Sequence, residues 1–353
     1  MGKLDKRTFS QFAEFDCERQ LFINLGRNDS NWFLPPDRKI KPLVDIRRTS
    51  KFEMLIGKKY ENEIYQSIKR RPFTVFSSNP GGSVVKISIT PRGLLNIVKN
   101  ITVEDPKVLL EYEFPTPHKF LCMILGIDEQ TKKIPITDES HKLRPDLIII
   151  KKYGIDTDKK FRTLNERQEI VELSRNDLDR KVGISIVDIK VSPSNAIGKK
   201  QFVELAFYTL ALNQYIFDNK LDQKMFVQLD SNGILPKVED TFVDNLDDLE
   251  TMVESLRWDE TFRLFDKTVT TIHNLKKQTP CQVEKTSVNI QPACGRCNYV
   301  EDCKATLGVI ENSDPKNWDI RLLHYTSRSM VEQLMQRGFK TIGDVAEGID
   351  KVQ

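Results

Sequence analysis

The 353-residue chain has no apolar run approaching the ~18 residues of a membrane-spanning helix. Its N-terminus, MGKLDKRTF, has no apolar stretch of the kind a secretory signal needs, and Lys6 stands where N-myristoylation prefers Ser or Thr. No internal repeat and no low-complexity tract is visible. These absences predict a cytoplasmic protein without a membrane partner, in a compartment that keeps thiols reduced. The chain also lacks a strong net charge, only +3. Any nucleic-acid surface must therefore come from local clusters such as Arg47-Arg48, Lys58-Lys59, Lys69-Arg70-Arg71 and Lys199-Lys200, whose ordinary reading is solvated surface. What is present suits a globular chain: 39% apolar residues for a core and 30% charged residues for solubility. The length suggests about two domains, or one large domain with appendages.

The most informative stretch is VGISIVDIKVSPSNAIGKKQFVELAFYTLAL, from Val182 to Leu212. Its first half is dense in β-branched residues and reads as a buried strand. Asp188 and Lys190 interrupt that strand on one face, and burying either charge unpaired is costly. One explanation is a salt bridge on a sheet face. The other is half of a metal-dependent phosphodiesterase site. Upstream, KLRPDLIIIKK places Asp146 just before another apolar strand. Downstream, Gln201 and Tyr208 lie two turns apart on one face of the next helix.

Pro-Asp, a spacer, Asp-x-Lys on a second strand and Q-x6-Y on the following helix resemble the RecB-type branch of the PD-(D/E)XK nuclease superfamily. Gly57 followed by Glu61 resembles the first motif of that branch, G-x-x-φ-(H/E). Ile56, Tyr60, Ile64 and Ile68 set the helical phase, and Glu63 is expected in solvent. The resemblance implies an α/β fold with a mixed central β-sheet flanked by helices, restriction-endonuclease-like. It implies catalytic Glu61, Asp146, Asp188 and Lys190. The three acids and the Ile189 carbonyl would hold Mg²⁺ or Mn²⁺, with Gln201 and Tyr208 beside the substrate. Tyr208 is a candidate to stack on a base.

A second signal is QPACGRCNYVEDC, in which Cys294, Cys297 and Cys303 form C-x2-C-x5-C, a metal-type spacing. A fourth ligand must come from Cys17, Cys122 or Cys281. Cys122 sits in the apolar run FLCMIL and reads as core. Zinc is a rival metal, but it usually takes two close C-x2-C pairs, and the second is missing. Cys17 opens a Cys-x-Arg sequence before a helix bearing Leu21, Phe22 and Leu25. This arrangement resembles AddB-type and CRISPR-associated iron–sulfur nucleases. That resemblance implies a [4Fe–4S] cluster on Cys17, Cys294, Cys297 and Cys303, joining the N- and C-terminal segments.

Other segments are less specific. TVFSSNPGGSVVKISIT and MFVQLDSNGILPKVEDTFV read as hairpins, the second around Asn232-Gly233, LLEYEF near residues 109–114 as a strand leading toward Asp146, and residues 247–277 as one long helical tract. The expected organisation is a nuclease domain over residues 1–310 and a small helical tail over 317–353, similar to a helix-hairpin-helix unit. The expected function is a metal-dependent deoxyribonuclease, an exonuclease on single-stranded or end-exposed DNA, in repair and recombination or in antiphage or CRISPR-linked defence. A helicase domain or subunit is an expected partner. The alternatives are an inactive DNA-binding module of a larger nuclease–helicase, and a redox or zinc scaffold.

Overall fold

The computed structural model describes residues 6–26, 51–69, 71–78, 84–130, 142–154, 160–192, 197–237, 245–277, 286, 288, 290, 294–295, 297, 299–310, 312–323 and 326–349. The helices are α1 (Lys6–Phe15), α2 (Glu18–Gly26), α3 (Lys51–Lys69), α4 (Pro91–Val98), α5 (His118–Leu125), α6 (Arg175–Arg180), α7 (Lys199–Asp218), α8 (Leu246–Met252), α9 (Trp258–Lys277), α10 (Val300–Thr306), α11 (Arg328–Gln336) and α12 (Ile342–Ile349). The strands are β1 (Thr74–Val75), β2 (Ser77–Ser78), β3 (Val84–Val85), β4 (Ile87–Ser88), β5 (Lys107–Leu110), β6 (Tyr112–Pro115), β7 (Lys142–Leu143), β8 (Leu147–Lys151), β9 (Arg162–Leu164), β10 (Ile170–Glu172), β11 (Val182–Ile189), β12 (Met225–Val227), β13 (Gly233–Leu235) and β14 (Glu254–Ser255). Among the described residues no helix is long and apolar enough to cross a membrane. Two units emerge, one from residues 14–51 with 275–353 and one from residues 3–13 with 52–274.

The larger unit is built on β11, buried along its whole length, as its run of β-branched residues requires. It centres a seven-stranded mixed sheet ordered β1-β5-β8-β11-β13-β14, with β12 also on β11. β8 is antiparallel to both β5 and β11, while β12 and β13 run parallel to β11. Side chains alternate across the sheet. Val187 and Ile189 join Leu147, Ile149 and Val108 in a core with Tyr60, Ile64 and Ile68 of α3 and Leu249 of α8. Residues 186 and 188 consequently face the other way, where α7 packs on β11 and β12. There Phe207 of α7 meets Phe9 of α1 and Phe120 of α5, and Phe265 of α9 stacks on Phe9 at 4.8 Å. Helices thus flank a mixed sheet, as expected.

Three segments depart from the sequence reading. First, β12 and β13 do not form a hairpin. They lie end to end along β11, pairing with residues 182–184 and 187–189. Between them the buried Asn232 accepts the Ile186 N–H on Oδ1 (2.7 Å) and donates to Thr209 Oγ1 (3.0 Å). Its amide replaces the backbone partner that β11 would otherwise lose. Gly233 is there for close approach, since a Cβ would lie 2.3 Å from the Glu254 carbonyl. Second, the tract over 247–277 is interrupted by β14, which pairs antiparallel with β13. Third, LLEYEF is two strands broken at Glu111, whose φ is +56°. The first hairpin is seen in its strands, β2 against β3, and its turn lies outside the described residues.

The smaller unit brings the two ends of the chain together. Arg19 of α2, with its side chain 1% exposed, gives Nη2 to Asp302 Oδ2 (2.6 Å) and to Thr306 Oγ1 (3.1 Å) on α10. Tyr299 donates its hydroxyl to Asn24 Oδ1 (2.7 Å). Cys303 and Leu307 form a small core with Val288. The tail forms two helices, α11 and α12, with Gly338 between them at φ +93° and Ser327 capping α11.

Candidate active site and cysteine cluster

The β8–β11 register pairs Leu147 with Val187, which sets Asp146 opposite Asp188 at the end of the two strands. Asp188 is 3% exposed. Asp146 Oδ2 accepts the Ile189 backbone N–H at 2.6 Å. Asp188 Oδ2 forms an ion pair with Lys190, whose side chain is 26% exposed, but meets no donor in hydrogen-bond geometry. The salt bridge anticipated on this face is therefore present, and it sits within a cluster of acids.

Glu61 of α3 joins that cluster. It shares a hydrogen bond with Glu111 and interacts with Asp146, whereas Glu63 is 60% exposed beside Lys59. Glu111 was missed in the sequence. Its N–H donates to the Asp146 carbonyl (3.3 Å), its Oε1 accepts from Tyr65 (3.3 Å), and its Oε2 pairs with Arg144 Nε (3.0 Å). A lone acid inside an apolar strand run was the available signal, the same one that marked Asp188.

The carboxyls are driven apart in proton affinity. Burial pushes Asp146 well above the usual carboxylate range, helped by the Asp188 charge and opposed by Lys190. Burial acts on Asp188 too, but Lys190, Lys6 and a hydrogen bond from Asp146 overcome it and hold Asp188 low. Burial and the neighbouring Glu111 raise Glu61. Burial opposes the ammonium of Lys190, yet Asp188, Glu204 and Asp146 raise it. With Lys190 and Lys6 on Asp188, that acid keeps the charge more readily than its neighbour Asp146.

α7 supplies the remaining side chains. Gln201 takes the Gly198 N–H on Oε1 (3.1 Å) and so fixes the helix's first turn. Tyr208 is 1% exposed and donates its hydroxyl to the Arg144 carbonyl (2.9 Å). This corrects the stacking role expected of Tyr208: its ring is packed inside and closed to a base. Glu204, one turn before Tyr208 and also missed, pairs with Lys6 Nζ at 2.5 Å.

The sequence-predicted cysteines converge in the smaller unit. Cys17 feels the charges of Cys294 and Cys297, and Cys303 those of Cys17 and Cys297. Burial pushes the Cys17 thiol up to about 11 and that of Cys303 to about 12. Cys122 is buried in α5, as the sequence predicts of a core residue, while Cys281 lies outside the described residues. The Arg of Cys-x-Arg, Arg19, lies close enough to Cys303 to lower its pKa. Among the described residues no three His, Cys, Asp or Glu side chains are already set as a metal cage. The donor types still divide cleanly, with hard oxygens in the larger unit and soft sulfurs in the smaller. No protein-family model, no curated protein and no solved structure matches this chain.

Proposed function

We propose that the protein is a Mg²⁺- or Mn²⁺-dependent deoxyribonuclease that hydrolyses phosphodiester bonds at the Asp146/Asp188 site. The observation that carries this reading is the buried acid pair, with a lysine on one acid and Glu61 alongside. Oxygen donors suit these hard ions, and three acids converge here with one lysine on Asp188. Glu61, Asp146 and Asp188 would hold the ion, with the Ile189 carbonyl a further ligand by the family resemblance. Once bound, such an ion lowers the pKa of its water and offsets charge on the phosphate. Lys190 orients the attacking water and neutralises charge beside Asp188. Arg144 and Tyr65 hold Glu111, which keeps Glu61 turned toward Asp146. Gln201 and Tyr208 act as positioning residues, one fixing α7 and the other the backbone before Asp146.

The resemblance extends this reading to single-stranded or free-ended DNA, to repair, recombination or defence, and to a helicase partner. It also assigns Cys17, Cys294, Cys297 and Cys303 to a [4Fe–4S] cluster, with zinc the rival. Cys17 lies near Cys294 and Cys297, and Cys303 near Cys17 and Cys297, and thiols are the donors a soft metal takes. The reading is tested with anaerobically purified protein, Mn²⁺ or EDTA, and linear and circular single-stranded DNA. Cation-dependent loss of the linear substrate is expected, with the circle spared. Absence of cleavage of either substrate would instead favour an inactive binding module.

A further inference from the structure

Lys6, at the start of α1, brings a second ammonium to the acid cluster. Glu204 Oε1 lies 2.5 Å from its Nζ, the Tyr208 hydroxyl accepts from it, and it stands 4.4 Å from the centre of the Tyr208 ring. These contacts aim the ammonium. They also use two of its three donors, and the side chain remains 27% exposed. Lys6 is near enough to favour the ionised Asp188, the acid Lys190 also holds. Lys190 sits on that carboxylate and serves the attacking water in the reading above, whereas Lys6 keeps a third donor for an incoming anion. The acids Glu61, Glu111, Asp146, Asp188 and Glu204 outnumber the cations around them. A phosphodiester approaching this cluster is repelled unless a cation faces it.

We propose that Lys6 binds a backbone phosphate of the DNA strand adjacent to the one being hydrolysed, with Glu204 and Tyr208 holding its ammonium in place. This rests on the nuclease reading above. It predicts a contact that is indifferent to base sequence and sensitive to salt.

The test is fluorescence anisotropy of a labelled single-stranded oligonucleotide against the full chain, in Ca²⁺ to suppress hydrolysis, over a KCl series. Lys6→Met should raise Kd about tenfold and reduce the slope of log Kd against log salt by about one unit, equally for unrelated sequences. Lys6→Arg should restore the slope. Because Lys6→Met strips Glu204 of its cation, the double variant Lys6→Met/Glu204→Gln is measured beside it and should show the same loss of slope. An unchanged slope in the double variant, or a Lys6→Arg protein that behaves like Lys6→Met, overturns the proposal. Wild-type cleavage measured in parallel separates the two readings: with cleavage intact and the slope unchanged, only the Lys6 contact falls. A wild-type protein that neither binds nor cleaves DNA removes both.

Discussion

Asp146 and Asp188 face each other across antiparallel strands, and the Ile189 N–H that follows Asp188 is given to Asp146 Oδ2 at 2.6 Å. The strand that presents one acid thus pins the other. Burial and the Asp188 charge raise Asp146 well above 3.8, so its carboxyl binds a proton more tightly than Asp188 does. A group with a raised folded-state pKa contributes stability that is complete below its unfolded value and lost as pH rises through the folded one. The cation-free protein should therefore lose stability from this group from about pH 4 upward. Asp146→Asn, neutral throughout, should not. Thermal melts in EDTA at pH 5 and pH 8 check this, and Mn²⁺ at pH 8 should recover the wild type alone. Parallel losses in both proteins would mean that Asp146 is already ionised.

Asp188 and Lys190 should be separable by stability as well as joined by activity. Either alanine variant is expected to abolish Mn²⁺-dependent cleavage. Lys190→Ala leaves a buried carboxylate without its main ion pair, a loss of about 3–5 kcal/mol in comparable sites, moderated here by Lys6. Asp188→Ala leaves Lys190 able to turn its ammonium to water, so its urea midpoint should fall less. Wild-type cleavage by both variants would remove this pair from the chemistry.

Gly57 offers a test of what lies over α3. A Cβ added there meets nothing within 4 Å, so no packing contact explains the glycine. On propensity alone, Gly57→Ala should stabilise the helix by about 0.5–1 kcal/mol. If substrate passes over this face toward Glu61, the same variant should raise KM while its melting temperature rises. A gain in stability with KM unchanged would leave the glycine with no part in binding.

The sequence showed most where one residue had to satisfy two constraints. Motif position and the spacing of Ile56, Tyr60, Ile64 and Ile68 distinguish Glu61 from Glu63; the last three of the four are buried, while Ile56 is 37% exposed. Asp188 was visible as a charge within a β-branched strand. Glu111 carried the same mark but sat in a run read as one continuous strand, and backbone turned to positive φ leaves no trace in alternation. Gln201 was paired with Tyr208 by motif spacing, although a residue four before Tyr208 is its nearer helical neighbour, and that residue is Glu204. Lys6 was illegible because its partners, Glu204 and Tyr208, lie at the far side of the sequence, about two hundred residues away. Asn232-Gly233 misled because a hairpin turn and a strand break with close backbone approach call for the same two residues.

Gln201 and Tyr208 should fail in different ways. Gln201→Ala removes an N-terminal helix contact, worth about 1 kcal/mol, and should lower the melting temperature slightly while cation binding persists. Tyr208→Ala empties a fully buried aromatic site and should destabilise by about 3–5 kcal/mol. Tyr208→Phe keeps the packing and removes the hydroxyl between Lys6 and the Arg144 carbonyl. Its turnover should fall more than its stability. Equal activity in Tyr208→Phe and wild type would confine the residue to packing.

The cysteine cluster gives the last prediction. Cys17 and the Cys294–Cys303 segment come from opposite ends of the chain, and Arg19, two residues past Cys17, pairs with Asp302 beside Cys303. A shared metal centre would close a very long loop at a point that buried side chains already bring together. By the chain-entropy estimate such a cross-link stabilises by roughly 4 kcal/mol. Anaerobically purified protein should be brown, with about four irons per chain. Cys17→Ser should lose iron as fully as Cys297→Ser does, and stability should fall in both. Arg19→Met tests the clamp without touching a ligand. It should lower stability and slow cluster reconstitution, while the thiols remain titratable. Full iron content in Cys17→Ser, with loss in Cys281→Ser, would move the site to a local C-terminal knuckle. One zinc and no iron after anaerobic reconstitution would replace the cluster with a zinc site and leave the nuclease reading standing.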